Sequence, residues 1–490
     1  MILDRAELAR VLGTEIPPSV EGVAGVTHDS RLVESGFAFV AIPGFKRDGA
    51  GFAPEALRRG ASLVVAEREI PEAPTTVVPD AREALSALAR AVFGDPSRRM
   101  EVYGITGTNG KTTTSYALHS ILAGAYGAKT CGLITTAETI FAGERTPAVR
   151  TTPEATEVQK KLAGMLERGV RRVVMEVSSH GIALRRVAGM RFAGALFTNL
   201  TRDHLDLHGS MEEYYAAKRE LFYLTEGPKV VNAEDSWGRR LVEEVAGVKT
   251  FGRAADADYR VVGVEATRSG TTFEVHHPGG ALRLETPLLG PYNVLNVVGA
   301  ASLALETGVE GDAVAGAVRV MEQVPGRFER VATAAETGFE VVVDYAHTDV
   351  GLEAVLEVAK GLVRADGRPG GRVICVFGAA GERDGAKRPK MGRVATRLAD
   401  LSIVTTDDAY SEDPAKIARE VVSGAGEGAE ILLDRREAIR RALSAARDGD
   451  VVVVAGKGHE RVQHLPAGDV PFHDATVVRE LLEELGKKEG

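Results

Sequence analysis

The sequence predicts an α/β protein of three domains, with one parallel sheet in the central domain and another in the C-terminal domain. Its 490 residues are too many for one hydrophobic core and fit about three domains of ordinary size. A glycine-rich turn at residues 104–110 leads from an apolar run into a helical segment. Two series of short apolar strands then alternate with helical segments, which is the pattern of a parallel sheet covered on both faces.

The N-terminal domain is predicted at residues 1–98 and is the smallest of the three α/β domains. It ends with a β-branched strand at 75–78 and a segment at 81–93 whose apolar residues recur at helical spacing. A turn-forming cluster, Gly94-Asp95-Pro96-Ser97, follows just before the glycine-rich turn. We place the first domain boundary at this cluster.

The central domain, predicted at 99–326, and the C-terminal domain, predicted at 327–490, each contain a series of apolar strands. Because helical segments separate the strands, we expect parallel sheets in both domains and a Rossmann-like C-terminal domain. Functional side chains of such sheets lie where strands end. The central strands are predicted at 173–175, 195–197 and 230–231, and the C-terminal strands at 341–343, 373–376, 403–404 and 451–454.

Composition favours a globular protein whose partners are small molecules. Hydrophobic residues make up 44% and charged residues 26% of the chain, as in ordinary soluble domains. The formal charge of −9 gives no general attraction to nucleic acid or to an anionic membrane. Two cysteines exclude a disulfide framework, and the charged N-terminal sequence MILDRAELARVLG does not resemble a signal peptide. We expect a cytoplasmic monomer with no membrane insertion.

The glycine-rich turn predicts a nucleotide-binding loop. Residues 104–110, GITGTNG, are followed by Lys111 and Thr112 at the start of a helix. Four features favour phosphate binding here: the glycine N–H groups, the helix N-terminus, the lysine cation and a threonine hydroxyl that can bind Mg²⁺. The spacing is a variant, because Ile105 stands where a P-loop needs glycine and Gly104 is displaced by one residue. We predict a P-loop ATPase domain that binds ATP or GTP.

Two polar clusters follow predicted strands of the central domain. Residues 176–181, EVSSHG, begin with Glu176, and residues 199–209, NLTRDHLDLHG, contain His204. Mg²⁺ prefers a few oxygen ligands together with phosphates and water, so one glutamate beside a nucleotide suffices. By itself, His204 would be a structural hydrogen bonder, and Lys218 on its amphipathic helix would be a solvated surface lysine.

Eight short motifs occur in the order seen in Mur ligases, and their combination resembles the MurE branch. They span nearly the whole chain: GTNGKTT, EVSSHG, DHLDLHG, YYAAKRELF, GPYNVLN, PGRFE, DYAHT and AGKGHE. That branch adds the third amino acid to UDP-N-acetylmuramoyl-L-alanyl-D-glutamate in peptidoglycan synthesis. The resemblance implies that the D-glutamyl carboxylate attacks the γ-phosphate of ATP, and that an amine converts the resulting acyl phosphate into an amide.

The resemblance also assigns the catalytic centre. Lys218 is expected to be carbamylated, which turns a cation into an oxygen ligand for Mg²⁺. The implied metal ligands are Thr112, Glu176, His204 and Lys218 as carbamate. The implied catalytic residues are Lys111, His204, Lys218, Asp344 and His347.

The three substrates are assigned in the same way. The UDP-muramoyl-dipeptide match is partial, because Ala50 and Leu184 stand where relatives often carry histidine and glutamine. The implied ATP-binding residues are Gly107, Thr108, Asn109, Gly110, Lys111, Thr112, Thr113, Asn293, Asn296, Arg327 and Asp344. The implied dipeptide-binding residues are Ser30, Thr151, Thr152, Ser178 and Arg186, and the implied amino-acid-binding residues are Arg388, Asp407, Asp408, Gly458 and Glu460.

The incoming amino acid is predicted from the sequence Asp407-Asp408-Ala409-Tyr410. Branch members that use meso-diaminopimelate typically show Asp-Asn-Pro-Arg, whose arginine holds the far carboxylate. A tyrosine cannot replace a bidentate cation, and the aspartates favour an ammonium. We therefore predict L-lysine or L-ornithine, with meso-diaminopimelate as the alternative if another arginine approaches from a different loop.

Three other functions stay open on sequence alone. A P-loop switch or motor explains residues 107–113 but leaves the second Rossmann-like half without a role. A folylpolyglutamate synthetase shares ATP-driven amide formation, although EVSSHG and the N-terminal segment favour a muramoyl substrate. A non-catalytic scaffold is disfavoured by the presence of Lys111, Glu176 and Lys218.

Overall fold

A computed structural model of the protein describes residues 2–45, 47–203, 205–365 and 370–486. The chain forms two compact units. The first comprises Met1–Val262, Glu274–Arg283 and Leu295–Val318, and the second comprises Gly263–Phe273, Leu284–Val294 and Arg319–Gly490. The domain limits at residues 98 and 326 stay predictions.

The N-terminal part of the first unit contains a small parallel sheet in the order β3-β4-β5-β6. Helix α3 begins where the Asp80 carboxylate accepts hydrogen bonds from the Arg82 and Glu83 N–H groups, and it buries Leu85 and Leu88. The elements are β1 (Leu3–Asp4), α1 (Arg5–Leu12), β2 (Gly22–Val23), β3 (Gly25–Thr27), β4 (Phe37–Val40), α2 (Ala53–Arg58), β5 (Leu63–Ala66), β6 (Thr75–Val77) and α3 (Ala81–Val92).

The main sheet of the first unit contains the glycine-rich loop between β7 and α4. Its strands follow the order β10-β9-β8-β11-β7-β12-β13-β14, and those from β8 to β14 are parallel. The elements are β7 (Glu101–Thr106), α4 (Lys111–Tyr126), β8 (Cys131–Ile134), β9 (Glu138–Phe141), β10 (Glu144–Pro147), α5 (Ala155–Glu167), β11 (Arg172–Glu176), α6 (Ser179–Ala183), β12 (Gly194–Phe197), α7 (Leu205–His208), α8 (Met211–Tyr223), β13 (Lys229–Asn232), α9 (Ser236–Glu244) and β14 (Val248–Gly252).

The segment that follows contributes residues to both units. Strand β15 continues the first unit's sheet, because its first residues pair with the end of β14 in parallel. The elements of this segment are β15 (Tyr259–Thr267), β16 (Gly270–His277), β17 (Gly280–Thr286), α10 (Pro291–Glu306) and α11 (Gly311–Arg319).

The second unit contains a sheet in the order β18-β19-β23-β20-β21-β22, parallel except for β18. The elements are β18 (Glu329–Ala332), α12 (Ala334–Thr337), β19 (Glu340–Asp344), α13 (Asp349–Ala365), β20 (Val373–Phe377), α14 (Arg388–Leu398), β21 (Leu401–Val404), α15 (Pro414–Ala425), β22 (Ala429–Ile431), α16 (Arg435–Ala445), β23 (Val451–Ala455), β24 (Val462–Leu465), β25 (Gly468–Pro471) and α17 (Asp474–Gly486).

The predicted α/β fold class with parallel sheets is confirmed. Each predicted apolar run of the two large sheets lies in a strand, because a strand covered on both faces by helices is apolar throughout. Residues 451–455 of β23, for example, are all buried. None of the described helices is long and apolar enough to cross a membrane.

One charged pair lies within the core of the second unit. The Arg435 guanidinium contacts both carboxylate oxygens of Asp474, at 2.8 and 2.7 Å, and both side chains are fully buried. Arg435 also donates to the Ala455 carbonyl oxygen at the end of β23. Because a buried charge without its partner is strongly unfavourable, the pair fixes α16 and α17 against the strand that carries the AGKGHE motif.

We expect Asp474→Asn to lower the free energy of unfolding of the second unit by about 3–5 kcal/mol, since it removes the carboxylate that is directly bonded to the buried Arg435 cation. The exposed Arg441–Glu430 pair supplies the matched control. Glu430→Gln is expected to cost less than about 1 kcal/mol. Urea unfolding monitored by limited proteolysis measures the free energy of unfolding of both variants. Equal losses in the two variants would contradict the role given to the buried pair.

Candidate active site

Glycines at two positions give the loop after β7 its shape. Gly107 has φ +148° and Gly110 has φ +83°, both in the region that favours glycine. A Cβ on Gly107 would lie 1.9 Å from Thr198 Oγ1, and one on Gly110 would lie 2.3 Å from Asn296 Oδ1. Gly104 lies within β7, which explains the unusual P-loop spacing: the loop itself begins at Gly107.

The loop is held from the end of β12. The Thr108 N–H donates to the Asn199 carbonyl oxygen at 2.8 Å, and the Asn109 N–H donates to Asn199 Oδ1 at 2.9 Å. Thr198 Oγ1 donates to the Asn109 carbonyl oxygen at 2.6 Å. The loop backbone is therefore fixed before any ligand binds, which lowers the entropic cost of binding.

Lys111 lies over the loop that precedes it. Its ammonium donates to the carbonyl oxygens of Gly107 and Thr108, at 3.1 and 2.8 Å. Thr112 and Thr113, the next residues of α4, are buried. The loop glycines, the lysine and the N-terminus of a sixteen-residue helix thus lie together, which is the arrangement that favours phosphate.

Helix α8 reaches the same loop with two side chains one turn apart. The buried amine of Lys218 donates to the Gly107 carbonyl oxygen at 2.7 Å, and the Tyr214 hydroxyl lies 3.1 Å from Thr108 Oγ1. Sequence reasoning did not assign Tyr214 to the site, although its spacing of four from Lys218 was the available signal. Burial and the nearby Lys111 cation hold the pKa of Lys218 well below its ordinary value, against the opposing charge of Asp203.

Glu176 has one carboxylate oxygen available for a cation. Oε1 accepts a hydrogen bond from the Thr136 N–H at 3.0 Å, whereas the buried Oε2 has no hydrogen-bond partner. A buried carboxylate oxygen of this kind is unfavourable unless a cation or water satisfies it. This oxygen fits the predicted Mg²⁺ ligand set. The lowered pKa of Lys218 fits it as well, because a carbamate forms on an uncharged amine.

The described residues contain no group of three or more His, Cys, Asp or Glu side chains that could hold a metal ion. The predicted ligand His204 lies outside the described residues.

Four of the five predicted dipeptide-binding residues lie beside Glu176. Thr152 Oγ1 donates to the Glu176 carbonyl oxygen at 3.0 Å and lies 3.0 Å from Ser178 Oγ, while Thr151 Oγ1 donates to Thr136 Oγ1 at 3.2 Å. The Arg186 guanidinium donates to the Thr152 carbonyl oxygen at 2.9 Å.

Two of the predicted dipeptide-binding side chains already interact with glutamates of the protein, one through an ion pair and one through a hydrogen bond. Arg186 pairs with Glu154 at 2.7 Å, so its charge is partly compensated within the protein. Ser30 lies in the small N-terminal sheet region and donates to Glu55 at 2.9 Å. A substrate carboxylate at Arg186 would therefore compete with Glu154.

The two predicted nucleotide-side asparagines lie in different units. Asn296 is buried next to Gly110, and its Oδ1 accepts a hydrogen bond from Thr114 Oγ1 at 3.4 Å, so it packs beneath the loop. Asn293 is buried in the second unit and donates to the Leu289 carbonyl oxygen at 2.7 Å. The second contact joins the first turn of α10 to the residues that precede it.

Asp344 and its neighbours form a second polar centre at the end of β19. The Asp344 carboxylate accepts hydrogen bonds from the Phe328 and Ala346 N–H groups, at 2.6 and 2.7 Å. Burial raises the pKa of Asp344 to about 6, against the opposing effects of Arg327 and of these N–H groups. His347 Nδ1 lies 2.8 Å from the Tyr345 carbonyl oxygen, which fixes the imidazole.

The acidic residues predicted to bind the amino acid already surround an ammonium of the protein itself. Lys457 is fully buried and donates to Asp408 Oδ1 at 2.7 Å and to Glu460 Oε2 at 2.9 Å. Burial opposes charge on Lys457, but Asp407, Glu460 and Asp408 outweigh it and raise the pKa of the lysine. Sequence reasoning missed Lys457, although AGKGHE contains it.

The two remaining predicted amino-acid-binding residues are closely packed. Arg388 is buried and donates to Glu412 at 3.0 Å and to Glu420 at 2.6 Å. Gly458 has φ +54°, and a Cβ there would lie 2.8 Å from Tyr345 Cβ. The loops after β19 and β23 therefore touch, and only glycine permits this approach.

Three family models match the chain. The Mur ligase middle domain matches residues 105–304, the Mur ligase glutamate ligase domain matches residues 326–458, and the Mur ligase family catalytic domain matches residues 22–93. The middle-domain match contains both polar clusters that follow β11 and β12.

Similar proteins cover the chain almost completely. A UDP-N-acetylmuramoyl-L-alanyl-D-glutamate–2,6-diaminopimelate ligase of Solibacter usitatus is 42% identical and covers 99% of this chain and 98% of its own. A solved structure with the same protein name has a TM-score of 0.70 at 30% identity, and covers 99% of this chain and 100% of its own. The MurF ligase of Thermotoga maritima, solved with ADP, has a TM-score of 0.63 at 20% identity, covers 95% of this chain and 98% of its own, and shows the fold alone.

The predicted preference for lysine or ornithine is not supported. Eight curated relatives, 38–42% identical to this chain, are all named for 2,6-diaminopimelate, so the alternative fits better. The physical reason lies in Lys457, which already compensates Asp408 and Glu460. The ammonium that Asp408 and Glu460 hold is therefore the protein's own, so these carboxylates do not by themselves indicate a substrate ammonium.

We expect Gly107→Ala to weaken ATP binding at least about 100-fold, because the new Cβ would force the loop away from Thr198. Gly164→Ala is the matched control: nothing lies within 4 Å of its Cβ position in α5. Titration calorimetry with ATP measures both. Unchanged affinity in the Gly107 variant would contradict a phosphate site at this loop.

The raised pKa of Asp344 predicts a pH-dependent stability. Between the ordinary value of 3.8 and about 6, the unfolded chain releases the proton that the folded chain keeps, so stability falls as pH rises. Relative to Asp344→Asn, the wild type is expected to lose on the order of 3 kcal/mol across this range. Melting curves of both proteins from pH 4 to pH 7.5 measure it, and a constant difference between them would contradict the raised pKa.

Proposed function

The chain belongs to the Mur ligase family, in its MurE branch, and we propose that it joins meso-diaminopimelate to UDP-N-acetylmuramoyl-L-alanyl-D-glutamate at the expense of ATP. It is an ATP-dependent acid–amino-acid ligase. In the proposed reaction the D-glutamyl carboxylate attacks the γ-phosphate of ATP to give an acyl phosphate and ADP. An amine of the diamino acid then displaces inorganic phosphate and forms the amide.

One observation carries the proposal: the buried amine of Lys218 contacts the phosphate loop, and Glu176 offers a carboxylate oxygen without a hydrogen-bond partner at the same edge of the sheet. A nucleotide switch also uses a carboxylate to hold Mg²⁺, but it gives the buried Lys218 no role. A ligase needs both, because it must bring a carboxylate and a triphosphate together. The electrostatic repulsion between these two anions is the barrier that the site has to overcome.

The residues of the first unit divide this task. The loop N–H groups and Lys111 bind the phosphates of ATP, and Thr152 and Ser178 position the dipeptide beside Glu176. Thr112, Glu176, His204 and carbamylated Lys218 would hold Mg²⁺, which when bound supplies positive charge against the γ-phosphate and the substrate carboxylate. Tyr214 orients the loop through Thr108.

The residues of the second unit receive the amino acid. Arg327, whose guanidinium lies 4.5 Å from the centroid of the Tyr345 ring, supplies positive charge near Asp344. His347, whose imidazole is fixed by the Tyr345 carbonyl oxygen, is the proposed catalytic histidine of this unit. Asp407, Asp408, Gly458 and Glu460 form the amino-acid site, with Arg388 holding the neighbouring loop in place. We also propose that the enzyme works as a monomer in the cytoplasm.

An amino-acid panel tests the function. Purified protein with UDP-N-acetylmuramoyl-L-alanyl-D-glutamate and Mg-ATP is offered meso-diaminopimelate, L-lysine, L-ornithine or no amine, while ADP release and the muramyl peptide are both quantified. We expect ADP and tripeptide in equal amounts with diaminopimelate only. Lys111→Met, which removes the loop cation, is expected to lower the rate at least about 100-fold.

Each rival function gives a different result in this assay. ADP release without the dipeptide would identify a nucleotide switch, and no ADP release under any condition would identify a scaffold. Turnover with a folate and glutamate in place of the muramoyl dipeptide would identify a folylpolyglutamate synthetase. Turnover with lysine or ornithine alone would refute the proposed amino acid but keep the reaction.

A further inference from the structure

A cavity of about 330 Å³ lies at the edge of the first unit's main sheet where β7, β11 and β12 begin. These strands are adjacent and parallel, and the phosphate loop and Glu176 lie at their other ends. The cavity is therefore at the opposite edge of the sheet from the candidate active site. We call it the arginine cavity, because it is lined by Arg98, Arg99, Arg171, Arg172 and Arg191 together with Glu101.

The three segments that carry these arginines are held in place by hydrogen bonds of the backbone. The Glu101 N–H donates to the Arg171 carbonyl oxygen at 2.8 Å, which joins the start of β7 to the residue before β11. The Arg191 N–H donates to Ser97 Oγ at 3.2 Å, which joins the residues before β12 to those before β7. The arginine backbones are thus positioned before any ligand binds, which lowers the entropic cost of binding.

The arginines outnumber the carboxylates that pair with them. Three of the five have a carboxylate partner: Arg172 with Glu101 at 2.7 Å, Arg191 with Glu226 at 2.6 Å and Arg98 with Asp95 at 3.2 Å. Asp95 also pairs with Arg90 at 3.2 Å, so two cations share its charge. The arginine cavity therefore keeps an excess of positive charge, although the whole chain has a formal charge of −9.

Arg99 and Arg171 supply this excess charge. Both residues are exposed, and neither makes an ion pair with a carboxylate in the part of the chain that the structure describes. Arg171 Nη1 instead donates to the carbonyl oxygens of Leu166 and Val170, at 3.2 and 3.1 Å, which holds the side chain while its remaining N–H donors stay available. Because like charges gathered in one cavity repel, an anion bound between them would be stabilising.

The size of the cavity and its side chains indicate the class of ligand. A volume of about 330 Å³ is at the lower end of small-molecule sites, so the cavity accommodates a compact ligand better than a length of nucleic acid. Guanidinium groups bind phosphate through two parallel N–H donors. A phosphoryl group concentrates about 1.5 to 2 negative charges, whereas a carboxylate supplies one, so phosphate matches the excess charge better.

We propose that the arginine cavity is a second anion site, which binds a small polyanion with phosphoryl groups: a diphosphate, either free or as part of a nucleotide. Arg99 and Arg171 contact the phosphoryl oxygens, and the three paired arginines add positive charge around them. The inference goes beyond the proposed ligase activity and does not depend on it, because none of the residues that line this cavity belongs to the candidate active site.

Titration calorimetry with inorganic pyrophosphate tests the inference. The full chain carries Lys111→Met, so that the phosphate loop lacks its cation, and we expect one pyrophosphate to bind with a Kd on the order of 10–100 μM. Arg99→Gln combined with Arg171→Gln is expected to weaken this binding at least about tenfold, because two charge-assisted contacts are lost. The matched control is Arg260→Gln combined with Arg283→Gln, which removes two exposed arginines of the first unit and is expected to leave the Kd within about twofold.

A second variant separates recognition from folding. Arg99→Lys combined with Arg171→Lys keeps both charges but removes the forked donors, and we expect it to recover part of the lost affinity. In the supported case, competition by ADP assigns the diphosphate to a nucleotide, and its absence assigns a free diphosphate.

Three results would overturn the inference. The first is no pyrophosphate binding at about 1 mM, or equal binding by the parent chain and the Arg99/Arg171 glutamine variant. The second is equal weakening in the control variant, which would show a general effect of net charge. The third is arginine-dependent binding of a short RNA in place of pyrophosphate, which would show a macromolecular partner.

Discussion

The parallel register of β11, β7 and β12 is the constraint on which the catalytic arrangement depends. Glu176 pairs with Ile105, and Phe197 pairs with Thr106, so three strands end at the same level of one edge. The loops that follow them therefore meet although they are far apart in sequence. A slip of one residue in this register would turn each strand's side chains to the opposite face and separate Glu176 from the phosphate loop.

Two buried lysines show how the fold shifts the pKa of one residue type in opposite directions. Lys218 lies against a backbone carbonyl and another cation, so burial dominates and its pKa falls well below the ordinary value. Lys457 lies between two carboxylates that outweigh its burial, and its pKa rises. The first suits an amine that reacts or binds a metal after modification, and the second suits a permanent counter-ion.

Charge balance also explains which carboxylates of the amino-acid site are already paired within the protein. The carboxylates of Asp408, Glu412 and Glu460 lie in a region that looks anionic in the sequence, yet buried cations compensate them.

The sequence by itself determined the α/β class, the apolar strands of both large sheets and the phosphate loop, because strand and helix periodicity and glycine conformation are local properties of the chain. The motif order likewise indicated the family. Tertiary structure alone decided that Lys218 is buried on a helix where the pattern suggested a solvated side chain, and that it contacts Gly107, 111 residues away. It alone paired Lys457 with Asp408, 49 residues away, and so placed an ammonium of the protein where the sequence suggested one of the substrate. Burial and ion pairing depend on which distant residues the fold brings together, and no local pattern contains that information.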